Sequence, residues 1–101
     1  MRNRLLILSF LFLFVSAPLC SADKDKPAFD LVVANILAHT HLALLKEYRR
    51  RVAPFGALIL GGMLNGEEDP VTRALVPLGF TPRESFEREG WTSALLVRDG
   101  A

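Results

Sequence analysis

The chain has 101 residues, half of them hydrophobic, and a formal net charge of +1 at pH 7. That length accommodates one small domain, and so even a charge balance argues against a dedicated nucleic-acid binder, which carries a clear basic excess. A single cysteine, Cys20, excludes an internal disulfide and a cysteine zinc site.

The amino terminus has the order of a secretory signal. Arg2 and Arg4 are basic, and Leu5 to Val15 is an eleven-residue apolar run broken only by Ser9. Small residues up to Ala22 then precede Asp23-Lys24-Asp25-Lys26. The apolar core is shorter than the roughly twenty residues of a membrane span. Residues 1–22 are therefore expected to form a signal peptide or an apolar anchor, a helix and the only part to meet a membrane. Residues 23–28 are expected to be a charged linker, and the mature protein to be exported, either secreted or periplasmic.

Phe29-Asp30-Leu31-Val32-Val33-Ala34-Asn35-Ile36-Leu37-Ala38 is the stretch around which the rest is organised. Its unbroken apolar run suits a strand buried on both faces, Leu31 to Asn35, in the middle of a parallel sheet. Ligands in such sheets sit beyond the carboxyl ends of the strands, which makes Asn35 a candidate site residue. A helix follows, His41 to Val52, with His41, Leu44, Leu45, Tyr48 and Val52 on one stripe. Thr40 is its expected amino cap, and Arg49-Arg50-Arg51 crowd its carboxyl end.

Pro54-Phe55-Gly56 breaks the chain, and Ala57 to Leu60 makes a second continuous strand that Gly61 and Gly62 end. Strand, helix and strand together predict a crossover unit. Asp69-Pro70 predicts a helix start with the acid as cap, the helix running to Val76 and ended by Gly79. Phe80 to Phe86 predicts a third strand, Glu87 to Gly90 a turn, and Trp91 to Arg98 a fourth strand. That last strand places Trp91, Ser93, Leu95 and Val97 on one face and Thr92, Ala94, Leu96 and Arg98 on the other. Their short connection makes the last two strands an antiparallel hairpin. The expected fold is therefore α/β: strand, helix, strand, helix and hairpin, preceded by an apolar amino-terminal helix.

Other clusters carry weaker signals. His39-Thr40-His41 resembles a metal pair, but residues two apart do not share a helix face, so no metal is expected. The arginine run reads as a solvated helix end. Glu67-Glu68-Asp69 supplies negative charge before a helix start. Trp91 and Phe86 read as packing near a hairpin turn. Gly61-Gly62-x-x-x-Gly66 lacks the spacing of a dinucleotide turn and reads as a strand-end turn.

The segments Phe29 to Ala38, Pro54-Phe55-Gly56-Ala57-Leu58-Ile59-Leu60-Gly61-Gly62-Met63-Leu64, Leu78-Gly79-Phe80 and Glu89-Gly90-Trp91 carry a resemblance. Together they resemble the carboxyl-terminal half of a class I S-adenosylmethionine-dependent methyltransferase, nearest to the ribosomal large-subunit protein eleven methyltransferases. The resemblance covers residues 29–99. It implies a partial Rossmann-like sheet made of that fold's fourth to seventh strands, the last inserted antiparallel between its two predecessors. It implies methyl transfer from S-adenosylmethionine to a protein amine, with Asn35 as the catalytic positioning residue and Asn35, Ile36 and Leu37 against the cofactor. A strand-end residue capping the next turn is the other reading of Asn35.

The resemblance also implies what is missing: the Gly-rich turn and the ribose-binding acid have no counterpart upstream of Phe29. Without the family's first strand, Leu31–Asn35 is expected to be an open edge through which the chain self-associates. Two functions follow. One is a methyltransferase acting on a ribosomal protein, incomplete and inactive as it stands, and cytoplasmic if it follows its family. The other is a non-enzymatic exported α/β fragment that binds through an exposed sheet edge.

Overall fold

The computed structural model describes residues 5–9 and 29–100. Five strands form one sheet: β1 (Leu5–Ser9), β2 (Phe29–Asn35), β3 (Val52–Leu64), β4 (Phe80–Arg88) and β5 (Trp91–Arg98). The spatial order is β1-β2-β3-β5-β4. The first three strands run parallel, and β5 is antiparallel to both β3 and β4. The last strand therefore does insert between its two predecessors.

Register explains where the core sits. Val32 pairs with Leu58 and Leu58 with Leu96; Ala34 pairs with Leu60 and Leu60 with Ala94. These six side chains are buried. They face the helices α1 (Ala38–Ala43), α2 (Leu45–Arg51) and α3 (Glu68–Leu75), which add Tyr48, Val71 and Leu75 to the same cluster. The alternate rows, Leu31-Ala57-Val97 and Val33-Ile59-Leu95, point the other way and are only half-buried. Period-two alternation puts both sets on the same strands.

Two expectations are corrected at the amino end of the sheet. Leu5–Ser9 is a strand, so it is not part of an apolar helix; the rest of residues 1–22 lies outside the described residues. Its register runs from Leu5 beside Leu31 to Ser9 beside Asn35. Leu31–Asn35 is therefore flanked on both sides and is not a sheet edge. An uncharged pentapeptide of four aliphatic residues and Ser9 satisfies the backbone groups that an unpaired β2 would have left open.

The helices depart from expectation in detail. The single helix predicted over His41–Val52 is two, because Leu44 leaves helical geometry at φ −110° and ψ 14°. Val52 already belongs to β3. Thr40 lies inside α1 and is not its cap; Leu37 occupies that place without a side-chain bond. Asp69 sits in the first turn of α3 and is not its cap either. Glu67 occupies the cap position without a side-chain bond into the helix; its carboxylate accepts instead from the Leu64 N–H at 2.7 Å. A 3₁₀ turn over Val76–Leu78 then ends at Gly79, whose φ of +95° a side chain would strain.

β3 is longer than predicted at both ends. Pro54-Phe55-Gly56 loops out of the ladder, since β2 steps from Phe29 to Leu31 while β3 steps from Val52 to Ala57. Phe55 takes a φ of +65° and leaves 79 % of its surface exposed. The hairpin turn is tighter than predicted: Glu89 and Gly90 have φ of 53° and 88°, the signs a two-residue type I′ turn needs.

Candidate functional site

β2 and β3 end side by side, Asn35 opposite Gly61. The chain leaves β2 through Ile36, whose N–H donates to the Gly61 carbonyl at 3.3 Å. That carbonyl accepts a second bond, from His41 Nε2 at 2.8 Å. The other ring nitrogen of His41, Nδ1, lies 2.7 Å from the Tyr48 hydroxyl. Nε2 must carry the proton to serve a carbonyl, so Nδ1 accepts from Tyr48. His41 and Tyr48 are seven residues apart, two helical turns, and both are fully buried.

Burial holds His41 neutral by pushing its pKa below the ordinary histidine value, against a smaller upward pull from the Gly61 carbonyl. Burial also pushes the Tyr48 phenol up. The pair is thus an uncharged pin between α1, α2 and the tip of β3. Both nitrogens of His41 are engaged, which leaves none for a metal.

On the other side of the strand tips lies a cleft of about 490 Å³ lined by Asn35, Ile36, Leu37, Gly62, Trp91 and Ser93. Gly61 makes room for its polar groups. A side chain there would meet Asn35 Oδ1 at 3.2 Å and Ser93 Oγ at 3.5 Å. Gly62 is needed for a different reason: its φ is +82°, and a Cβ would fall 2.3 Å from the Ile36 carbonyl oxygen. It packs against its own backbone and offers no cradle to a ligand. Among the described residues the cleft contains an amide, a hydroxyl and an indole, but no carboxylate.

Of the three residues singled out from sequence, Asn35 and Leu37 are exposed and Ile36 is buried, and all three border this cleft. Ser93, Gly62 and Trp91 are additions that sequence reasoning missed. The alternation of β5 did place Trp91 and Ser93 on one face. Only the insertion of β5 beside β3 brings that face to Asn35. Trp91 and Phe86 were read as packing residues, yet they are 51 % and 58 % exposed. Trp91 follows the hairpin turn at the rim of the sheet, where none of the described elements covers it.

The arginine run is also not a solvated end. Arg51 is buried, and Arg50 and Arg51 both reach Glu47, at 3.2 and 3.3 Å. Arg49 lies 3.7 Å from Asp99. α2 turns directly into β3 at this point, which draws its last residue under the sheet.

The profile of the ribosomal protein L11 methyltransferase (PrmA) family matches residues 13–99. The chain belongs to this family. The ribosomal protein L11 methyltransferase of Brucella abortus (strain S19) is 40% identical over 69 residues, 68% of this chain and 24% of that protein. The one from Caulobacter sp. (strain K31) is 35% identical over 74 residues, 73% of this chain and 26% of that protein. Among solved structures, the ribosomal protein L11 methylase of Lactobacillus delbrueckii subsp. bulgaricus superposes with a TM-score of 0.67 at 28% identity. That match covers 77% of this chain and 40% of the other.

The fold is therefore the Rossmann-like arrangement of a class I S-adenosylmethionine-dependent methyltransferase domain, and the chain spans about a quarter of the length of the relatives it matches. Export is corrected by the same findings. The family match begins at residue 13, within the stretch read as a leader, and the relatives are named for a ribosomal protein, a cytoplasmic substrate. As for the cofactor, the cleft offers no acid for ribose hydroxyls and no glycine turn open to a ligand. The described residues do not by themselves fit S-adenosylmethionine, and no chemical step is derived through it.

Proposed function

We propose that this chain works as a non-enzymatic interaction module of the methyltransferase fold, binding a strand of another polypeptide at the open edge of its sheet. Residues 29–99 serve as the carboxyl-terminal half of a methyltransferase-like domain. The observation that carries this reading is the contrast between the two outer strands. Outer strand β4 carries Pro82, Arg83, Glu84, Glu87 and Arg88, the residue types that discourage further pairing. Outer strand β1 reads Leu-Leu-Ile-Leu-Ser, without charge or proline, and pairs on one side only among the described residues. A strand of that composition belongs inside a parallel sheet.

A second copy is the simplest supplier of the next strand, through an isologous β1–β1 contact. Light scattering on the full chain at micromolar concentration is expected to give a dimer, and Leu6→Lys is expected to return it to monomer. A wild-type chain that stays monomeric across that range overturns the reading.

One observation favours a second reading, methyl transfer from S-adenosylmethionine to an amine of a ribosomal protein. Asn35 and Ser93 both border the space over Gly61 at the carboxyl ends of the strands, where an amide oxygen can accept from an amine N–H and aim its lone pair. Catalysis would then act mainly through positioning, with Asn35 as its residue and Ile36 and Leu37 beside the cofactor. Calorimetric titration with S-adenosylmethionine separates the two: low-micromolar affinity establishes the second reading, and absence of heat favours the first.

A further inference from the structure

The pair Asn65-Gly66 follows β3 and is exposed at the rim of the sheet. An asparagine before a glycine is chemically vulnerable. The next backbone nitrogen can attack the side-chain carbonyl, and glycine has no Cβ to hinder the approach. Gly66 has a φ of +95°, and a Cβ built there would meet nothing within 4 Å.

The atoms of that reaction each have a partner. The Gly66 N–H, which must give up its proton, donates to Glu68 Oε1 at 2.9 Å. Asn65 Oδ1, where negative charge develops, accepts from the Thr92 hydroxyl at 2.6 Å. Thr92 is buried, so this bond is made away from bulk water. Asn65 Nδ2 donates to the Glu87 carboxylate, a bond that makes the nitrogen readier to take the proton it leaves with. The two bonds also fix which way the amide faces, because a carboxylate only accepts. The backbone is held as well: Asn65 N–H donates to the Gly90 carbonyl at 3.0 Å.

We propose that the chain converts its own Asn65 to an acid through a cyclic imide. Glu68 takes the Gly66 N–H proton as that nitrogen bonds to Asn65 Cγ. The Thr92 hydroxyl stabilises the oxyanion of the tetrahedral intermediate. The Cγ–Nδ2 bond then breaks, Nδ2 takes up the proton that Glu68 acquired, and ammonia departs. Water opens the imide at either carbonyl. The product is aspartate or, with the main chain rerouted through the side-chain carbon, isoaspartate. None of these steps uses the β1 edge or S-adenosylmethionine.

The conversion alters the rim of the Asn35 cleft. The amide that joins Thr92 to Glu87 becomes a carboxylate beside that of Glu87, and like charges repel. Leu64, next to Asn65, is the ladder partner of Trp91, which lines the cleft. The hairpin is therefore loosened where it borders the site.

Peptide mass mapping of the full chain, stored at neutral pH, tests this. The mass increase of amide-to-acid conversion is expected at Asn65, with isoaspartate among the products, whereas Asn35, followed by β-branched Ile36, stays intact. Conversion should be faster in the folded chain than in the same chain unfolded in guanidinium chloride. Glu68→Gln keeps a hydrogen-bond acceptor but loses the base. It should slow conversion about tenfold, below the enzymic range because Glu68 is only half-buried. Thr92→Val should slow it too, and Thr92→Ser should restore it.

The sign of the change separates catalysis from loosening, since a variant that merely frees the turn speeds conversion. Slower conversion in the folded than in the unfolded chain overturns the proposal. So does an unchanged or faster rate in Glu68→Gln. If Thr92→Val fails to fold, those two comparisons still decide.

Discussion

The two faces of the sheet are made by alternate residues of the same strands, and they live in different surroundings. Leu58 and Ile59 are neighbours on β3. Leu58 lies under the helices with nothing exposed, whereas Ile59, in register with Val33 and Leu95, is only half-buried. Among the described residues, all three α-helices contribute to one face. The difference teaches that the described residues hold one fully buried core and one half-covered face. Stability should come from the first and association from the second.

That contrast can be broken by paired substitutions. Leu58→Ala removes buried methylenes from the centre of the sheet and should cost about 2–5 kcal/mol, enough to unfold much of a domain this small. Ile59→Ala, one residue away, should cost about 1 kcal/mol or less. Urea denaturation of the two variants checks the order. Equal losses would show that the second face is as well packed as the first.

A smaller effect should appear with pH. His41 is buried neutral, so its folded pKa lies below the unfolded value of about 6.5. The unfolded chain therefore takes up a proton first, and stability falls as pH drops below about 6.5 towards the folded pKa. The slope should not exceed about 1.4 kcal/mol per pH unit. Above pH 7 the contribution is fully present. Melting curves at pH 7.5 and 5.5 should differ for the wild type, and His41→Gln should reduce the difference. An unchanged difference in that variant would place the titrating group elsewhere.

The smallest effect belongs to the solvated side of α3. Arg73 and Asp69 lie 3.0 Å apart, one turn from each other, with both side chains largely in water. Arg73→Ala should change stability by no more than about 0.5 kcal/mol, as thermal melting can verify.

Part of the candidate site is legible in the sequence. Asn35 stands out as the polar stop of an apolar run, and the strand-to-pocket relation of parallel sheets gives it a position. Ser93 and Trp91 share a face by alternation, but their distance from Asn35 depends on which strands become neighbours. His41 could be placed on the buried stripe of its helix. Its bond to Gly61 could not, because that bond joins residues twenty apart in the chain; its bond to Tyr48, on the same stripe, spans a break at Leu44. The arginine run misled because helix-end charge is usually solvated, and here the chain turns at once into β3.

Local pattern alone determined the strands from Phe29 onward, their hairpin and the family, because period, glycine turns and apolar runs are properties of neighbouring residues. Tertiary structure decided the role of Leu5–Ser9. An apolar pentapeptide satisfies a leader's pattern and a buried strand's pattern equally, and only the unpaired backbone of β2 distinguishes them. The same holds for the cleft beside Trp91: residues from β2, β3 and β5 form it together with Ile36 and Leu37, and no window of sequence contains them all.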